Sequence, residues 1–114
     1  MNQVGYSSID RRGLFAHKDF AAGEVVERAH VLVVTNDQEK IVEQTPIGDY
    51  MFWWDDEHAA VAFGPISFAN HSDSPNCDLM RDYSTHTVFL EALRPIRAGD
   101  EITFDYEYVW FDAR

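Results

Sequence analysis

The sequence predicts a mainly β fold, and three observations carry that reading. Short runs rich in β-branched and aromatic residues recur along the chain, Gly- and Pro-containing turn signals separate them, and the clearest run alternates with a period of two. In residues 86–92, Val88, Leu90 and Ala92 alternate with Thr87, Phe89 and Glu91, which gives one strand two chemically different faces. By the same signals, strands are expected at 14–17 behind Arg12-Gly13, at 24–29 behind Ala22-Gly23, at 30–35 where Val is dense, and at 50–54, 59–63 and 101–105. One short helix is expected from Asn36. The Asn36 side chain caps it, Glu39 returns the bond three residues later, Ile41 and Val42 give a narrow apolar face, and Pro46 stops it. No internal repeat, low-complexity tract or linker interrupts residues 1–114, so a single domain is expected.

At 114 residues, 46% apolar and 25% charged, the chain has material for one core and a composition unlike that of disordered segments. No apolar run approaches the roughly 18 residues that span a bilayer. The opening MNQVGYSSIDRR lacks the apolar stretch of a signal peptide, so an intracellular location, cytoplasmic or nuclear, is expected. The single cysteine, Cys77, rules out an internal disulfide and a multi-cysteine zinc cluster. None of the five histidines stands four residues from another, so no metal site is expected.

The formal charge of −11 argues against direct binding to nucleic acid and suits a partner rich in Lys or Arg, although acidity also serves plain solubility. Acidic residues gather near the end, where Asp100, Glu101, Asp105, Glu107 and Asp112 face a single base, Arg114.

The stretch FANHSDSPNC, residues 68–77, concentrates turn formers with a histidine, two asparagines and the lone cysteine. Taken alone it admits four readings: a surface turn, a metal site, a Cys77 nucleophile with His71 as base, or a ligand cradle built from side-chain amides and backbone groups. Its company narrows them. RRGLFA (11–16), AGEVVE (22–27), DYMF (49–52), FANHSDSPNC and AGDEITFDYEY (98–108), in that order, resemble the SET domain of protein-lysine methyltransferases, most of all the minimal viral and bacterial type.

That resemblance implies a β-clip of small curved sheets with short helices and a C-terminal segment threaded so that the NHS and DY segments become neighbours. It implies S-adenosylmethionine as cofactor, cradled by the backbone near Arg12, Gly13 and Leu14 and by Asn70 and His71, with Gly13 permitting close approach of backbone to ligand. Tyr106 matches the family's active-site tyrosine, which also borders the cofactor. Tyr50, Phe104, Tyr108 and Trp110 are the implied walls of a lysine channel, apolar along the stem and tolerant of a cation at their π faces. Phe104 stands where the family uses Phe or Tyr to set methylation number; a Phe, with no hydroxyl to hold a water, implies di- or trimethylation. The substrate implied is a Lys/Arg-rich protein segment such as a histone tail.

Two departures from the family pattern stand out. Arg11 replaces the first glycine of a Gly-x-Gly turn, and no cysteine-rich segment follows Tyr106. Tyr108, Trp110 and Phe111 then close the channel, or the substrate or a second subunit does, which admits a homodimer. The rival implied by these departures is a SET-fold module that binds a basic peptide with weak catalysis or none.

Overall fold

The computed structural model describes residues 1–105, and β-strands dominate its regular structure. The strands are β1 (Gln3–Tyr6), β2 (Arg12–Phe15), β3 (Val25–Thr35), β4 (Met51–Asp55), β5 (His58–Phe63), β6 (Asn70–His71), β7 (Cys77–Asp82), β8 (Thr87–Ala92) and β9 (Glu101–Phe104). One sheet has the order β1-β2-β9-β6, and the other β4-β5-β3-β8-β7. No helix among the described residues is long and apolar enough to cross a membrane.

The two runs expected at 24–29 and 30–35 form one strand, β3, of 11 residues. The expected division falls where β3 changes partner: Val25–His30 pairs with β8, and His30–Thr35 pairs with β5. Turn chemistry governs the corners. Gly23 and Gly99 occupy matching Ala-Gly-acid turns at φ 85° and 90°, a region costly for any residue with a Cβ. Between these turns Phe20 and Ile96 exchange backbone hydrogen bonds at 2.7 and 2.9 Å.

The five-stranded sheet curls until its outer strands meet. Arg81, on β7, donates from Nε to the Trp53 carbonyl of β4 at 2.9 Å, and the Tyr83 hydroxyl donates to the Trp54 carbonyl at 2.9 Å. The Tyr83 ring meets Trp54 edge-on at 4.9 Å, and the Arg81 guanidinium lies 5.2 Å from the Trp53 ring. Side chains thus supply donors for β4 carbonyls at what is, among the described residues, the edge of the sheet, which protects that edge from pairing with another chain. The core inside holds Leu14, Val88, Leu90, Ile96 and Ile102 with at most 1% exposure. Trp54 is the buried tryptophan of β4, whereas Phe52 and Trp53 are only partly covered.

The helix α1 (Asn36–Val42) starts as expected within one residue, with a different cap. Thr35 accepts from Gln38 N–H at 3.2 Å, and the Gln38 side chain accepts from Thr35 N–H at 2.9 Å. Glu39, expected as the return partner, is instead buried at 2% exposure, while Asn36 reaches across to the Asp56 carbonyl. Pro46 opens a short 3₁₀ helix, Pro46–Tyr50, so Tyr50 ends a helical turn and does not begin the strand. β1, β6 and β7 were not expected: β1 pairs Gly5 with Gly13, β6 is two residues long, and β7 alternates polar with apolar residues too weakly to be read.

Replacing Tyr83 with Phe removes the bond to Trp54 and keeps the ring contact, so urea unfolding should show a loss of about 1 kcal/mol. Leu90→Ala, in the fully enclosed core, should cost about 2–5 kcal/mol in the same measurement.

Candidate functional site

The parallel ladder between β6 and β9 sets Asn70 opposite Thr103 and His71 opposite Phe104, and Ser72 N–H donates to the Phe104 carbonyl at 3.1 Å. The NHS and FD segments are therefore neighbours. A two-residue parallel pairing is a weak element, and Asn76 reinforces it. Its buried amide donates to the Glu101 carbonyl at 2.8 Å and accepts Thr103 N–H at 2.9 Å, the contacts that a further strand would make. Residues 72–76 are the turn between these anchors, with Ser72 Oγ accepting Ser74 N–H at 3.0 Å.

Asn70 is the hub of the site. Its Nδ2 lies 2.9 Å from Glu101 Oε2 and 3.1 Å from each of Ser7 Oγ, Asp10 O and Arg12 O. An amide has two N–H donors, so these four acceptors share them, and the carboxylate decides which end of the amide turns inward. Asn70 Oδ1 accepts no hydrogen bond among the described residues.

Arg12, Tyr50 and Asn70 come together in one polar cleft, with Asp10, Arg11, Asp49, Ser67 and Phe68. The Arg12 guanidinium sits 4.7 Å from the Phe68 ring centre, and Tyr50 meets the same ring edge-on at 5.6 Å. The cleft thus offers both signs of charge beside aromatic surface. Arg11 adopts φ 34°, the conformation that a glycine would take without strain, at a cost of order 1 kcal/mol or more. Its guanidinium turns to Asp10, at 3.4 Å, and toward Asp49, at 3.9 Å. The hydrogen bond and charge of Asp10 raise its pKa above the usual arginine value.

Tyr50 also lines an apolar recess with Phe104, Met51, Phe52, Ile66 and Leu79. An open apolar groove along β3, β5 and α1 continues from there and shares Arg12, Tyr50 and Phe68 with the polar cleft. Tyr50 stands where all three meet.

Gly13, Leu14 and His71 are not part of the cleft lining. The Leu14 side chain is fully buried between Val4 of β1 and Ile102 of β9, because β2 is the inner strand there, so only its backbone is left to face a ligand. Gly13 is open on its Cα face for a protein group and not for a ligand: a Cβ there would stand 2.9 Å from the Glu101 carboxyl carbon and 3.1 Å from Ser7 Cβ. The His71 ring lies between Asp73, 2.9 Å from Nε2, and Asp105, 3.5 Å from Nδ1, outside the cleft lining. Tyr106, Tyr108 and Trp110 fall outside the described residues.

Sequence reading missed Ser7 and Glu101. The Ser7 hydroxyl is 2.8 Å from both Glu101 oxygens across 94 residues of sequence, and no spacing signal connects them. Cys77 is removed as a nucleophile: it is 1% exposed, and burial pushes its thiol up to about 12. Among the described residues no three His, Cys, Asp or Glu side chains gather as a metal site.

Residues 11–107 match the SET domain family, and the chain belongs to it. Over 117 residues it is 37% identical to histone-lysine N-methyltransferase trithorax of Drosophila virilis, covering 95% of this chain and 3% of that protein. Over 116 residues it is 35% identical to human histone-lysine N-methyltransferase 2B, covering 94% of this chain and 4% of that protein. It therefore spans only a small part of the curated relatives it matches. A crystal structure of a candidate histone methyltransferase from Plasmodium falciparum superposes with a TM-score of 0.74 at 22% identity, covering 96% of this chain and all of that one, and shares the fold.

The Cys77 burial yields a direct test. The native protein at pH 8 should resist alkylation by iodoacetamide, followed by mass spectrometry, and urea-unfolded protein should react within minutes; Cys77→Ser should retain whatever activity the wild type has.

Proposed function

We propose that this domain is a protein-lysine methyltransferase that uses S-adenosylmethionine and acts on a Lys/Arg-rich protein segment such as a histone tail. The observation that carries the reading is the position of Tyr50, which borders the polar cleft with Arg12 and Asn70 on one side and the apolar recess with Phe104 on the other. A methyl transfer between a polar cofactor and a lysine needs two adjoining compartments of those characters.

The cleft residues fit the cofactor. Arg12 and Arg11 answer a carboxylate, Asn70 Oδ1 is an acceptor open to an ammonium or amino donor, and Phe68 and Tyr50 provide aromatic surface for an adenine. When bound, the cofactor supplies an electrophilic methyl on a positively charged sulfur.

The chain's own work is alignment. Tyr50 and Phe104 hold the aliphatic stem of the lysine and exclude water, so that its amine arrives neutral and in line. Tyr106, next after Asp105, orients the amine through its hydroxyl. Backbone carbonyls beside the bound cofactor would hold its polarised methyl through weak C–H···O contacts. Phe104 leaves no hydroxyl to pin a water against the amine, which favours di- and trimethylation. The charge of −11 draws a basic segment to the site, and such a segment binds by adding to an exposed sheet edge. A histone substrate would imply action at chromatin.

Transfer from radiolabelled cofactor to core histones tests the reading. Wild type should label them, and Asn70→Ala and Tyr106→Phe should each reduce the rate at least a hundredfold. Cofactor binding without transfer to histones or to a broad set of basic peptides would reduce the domain to a binding module. In the active protein, Phe104→Tyr should shift the product, read by mass spectrometry, toward monomethyl-lysine.

A further inference from the structure

The methyltransferase reading assigns no task to the polar cluster around Glu101. The carboxylate of Glu101, on β9, receives the Ser7 hydroxyl at 2.8 Å on either oxygen and Asn70 Nδ2 at 2.9 Å on Oε2. It lies against the bare Cα face of Gly13, where a Cβ would clash with it. Ser7 Oγ in turn accepts Ile9 N–H at 2.9 Å, and Ser7 N–H donates to the Arg11 carbonyl at 3.1 Å. One carboxylate thereby ties together the β1–β2 turn, the amide of Asn70 and β9, the strand that pairs with both β2 and β6.

We propose that Glu101 is a positioning residue whose contacts with Ser7, Asn70 and Gly13 set the shape and polarity of the cofactor cleft, and so its affinity for S-adenosylmethionine, without touching cofactor or substrate. This rests on the methyltransferase reading. The negative charge holds the N–H end of Asn70 toward the protein and leaves Oδ1 for the ligand, which selects a cationic or N–H donor there over an anion. The same charge anchors the turn that carries Asp10, Arg11 and Arg12 at the cleft margin, including the strained backbone of Arg11. Gly13 serves this device by leaving room for the carboxylate.

The test is calorimetric titration of the full chain with S-adenosylmethionine, together with steady-state kinetics on a histone peptide. Glu101→Ala should weaken cofactor binding at least tenfold and raise the cofactor KM equally. Its kcat at saturating cofactor and its peptide KM should change less than threefold, a split that general loss of structure would not give. Glu101→Gln keeps the shape and loses the charge, so it should show an intermediate loss; it also serves should the alanine variant fail to fold. Gly13→Ala should weaken binding by displacing the carboxylate, and adding Gly13→Ala to Glu101→Ala should bring a smaller further loss than Gly13→Ala causes alone, the remainder being its contact with Ser7. Folded Glu101→Ala and Glu101→Gln proteins that bind the cofactor as tightly as wild type would overturn this role while leaving the methyltransferase reading intact, as would fully additive losses in the double variant. A wild-type chain that binds no cofactor would overturn both.

Discussion

The insertion of β9 between β2 and β6 is the constraint on which the rest of the site depends. Its antiparallel neighbour comes from the start of the chain and its parallel neighbour from the FANHSDSPNC stretch, so one four-residue strand joins segments about ninety and thirty positions away. Closing loops of that length costs conformational entropy, offset here by the enclosed side chains of Leu14 and Ile102. The parallel contact is too short to persist on its own hydrogen bonds. Asn76 supplies what it lacks by bonding to Glu101 O and Thr103 N as though it were backbone.

The second sheet solves a different problem with related means. Its outer strands β4 and β7 would each present unpaired carbonyls, and the curl brings Arg81 and Tyr83 over those of Trp53 and Trp54. In both sheets, side-chain donors stand in where a strand would otherwise be needed. This lets a short chain build a curved scaffold that leaves a polar cleft and an apolar recess side by side, with Tyr50 between them.

The departure at Arg11 also makes physical sense in that frame. The turn still requires the left-handed backbone for which a glycine would be chosen, and Arg11 adopts it. Two carboxylates take up its guanidinium, and the exposed pairs contribute little individually. The strain is borne by the turn as a whole, which Ser7 and Asn70 hold through several bonds to its backbone.

Sequence alone determined the β-rich character, most strand positions and the short helix, because hydrophobic period and turn residues are local properties; the neighbouring of FANHSDSPNC with the TFDY segment came only from the resemblance that the order of motifs carries, since it is a contact between distant segments. That resemblance also marked Arg12, Tyr50, Asn70 and Phe104, which the fold gathers around one cleft and one recess. Tertiary structure decided the remainder. Leu14 became core because β2 is flanked on both sides, Gly13 received a carboxylate, and His71 settled between Asp73 and Asp105. Thr35 displaced Asn36 as the helix cap. Ser7 and Glu101 are legible only in three dimensions, since their bond spans 94 positions and depends on where β9 is threaded. A side chain's type is written in the sequence, but the partner that satisfies its charge or hydrogen bond is chosen by the fold.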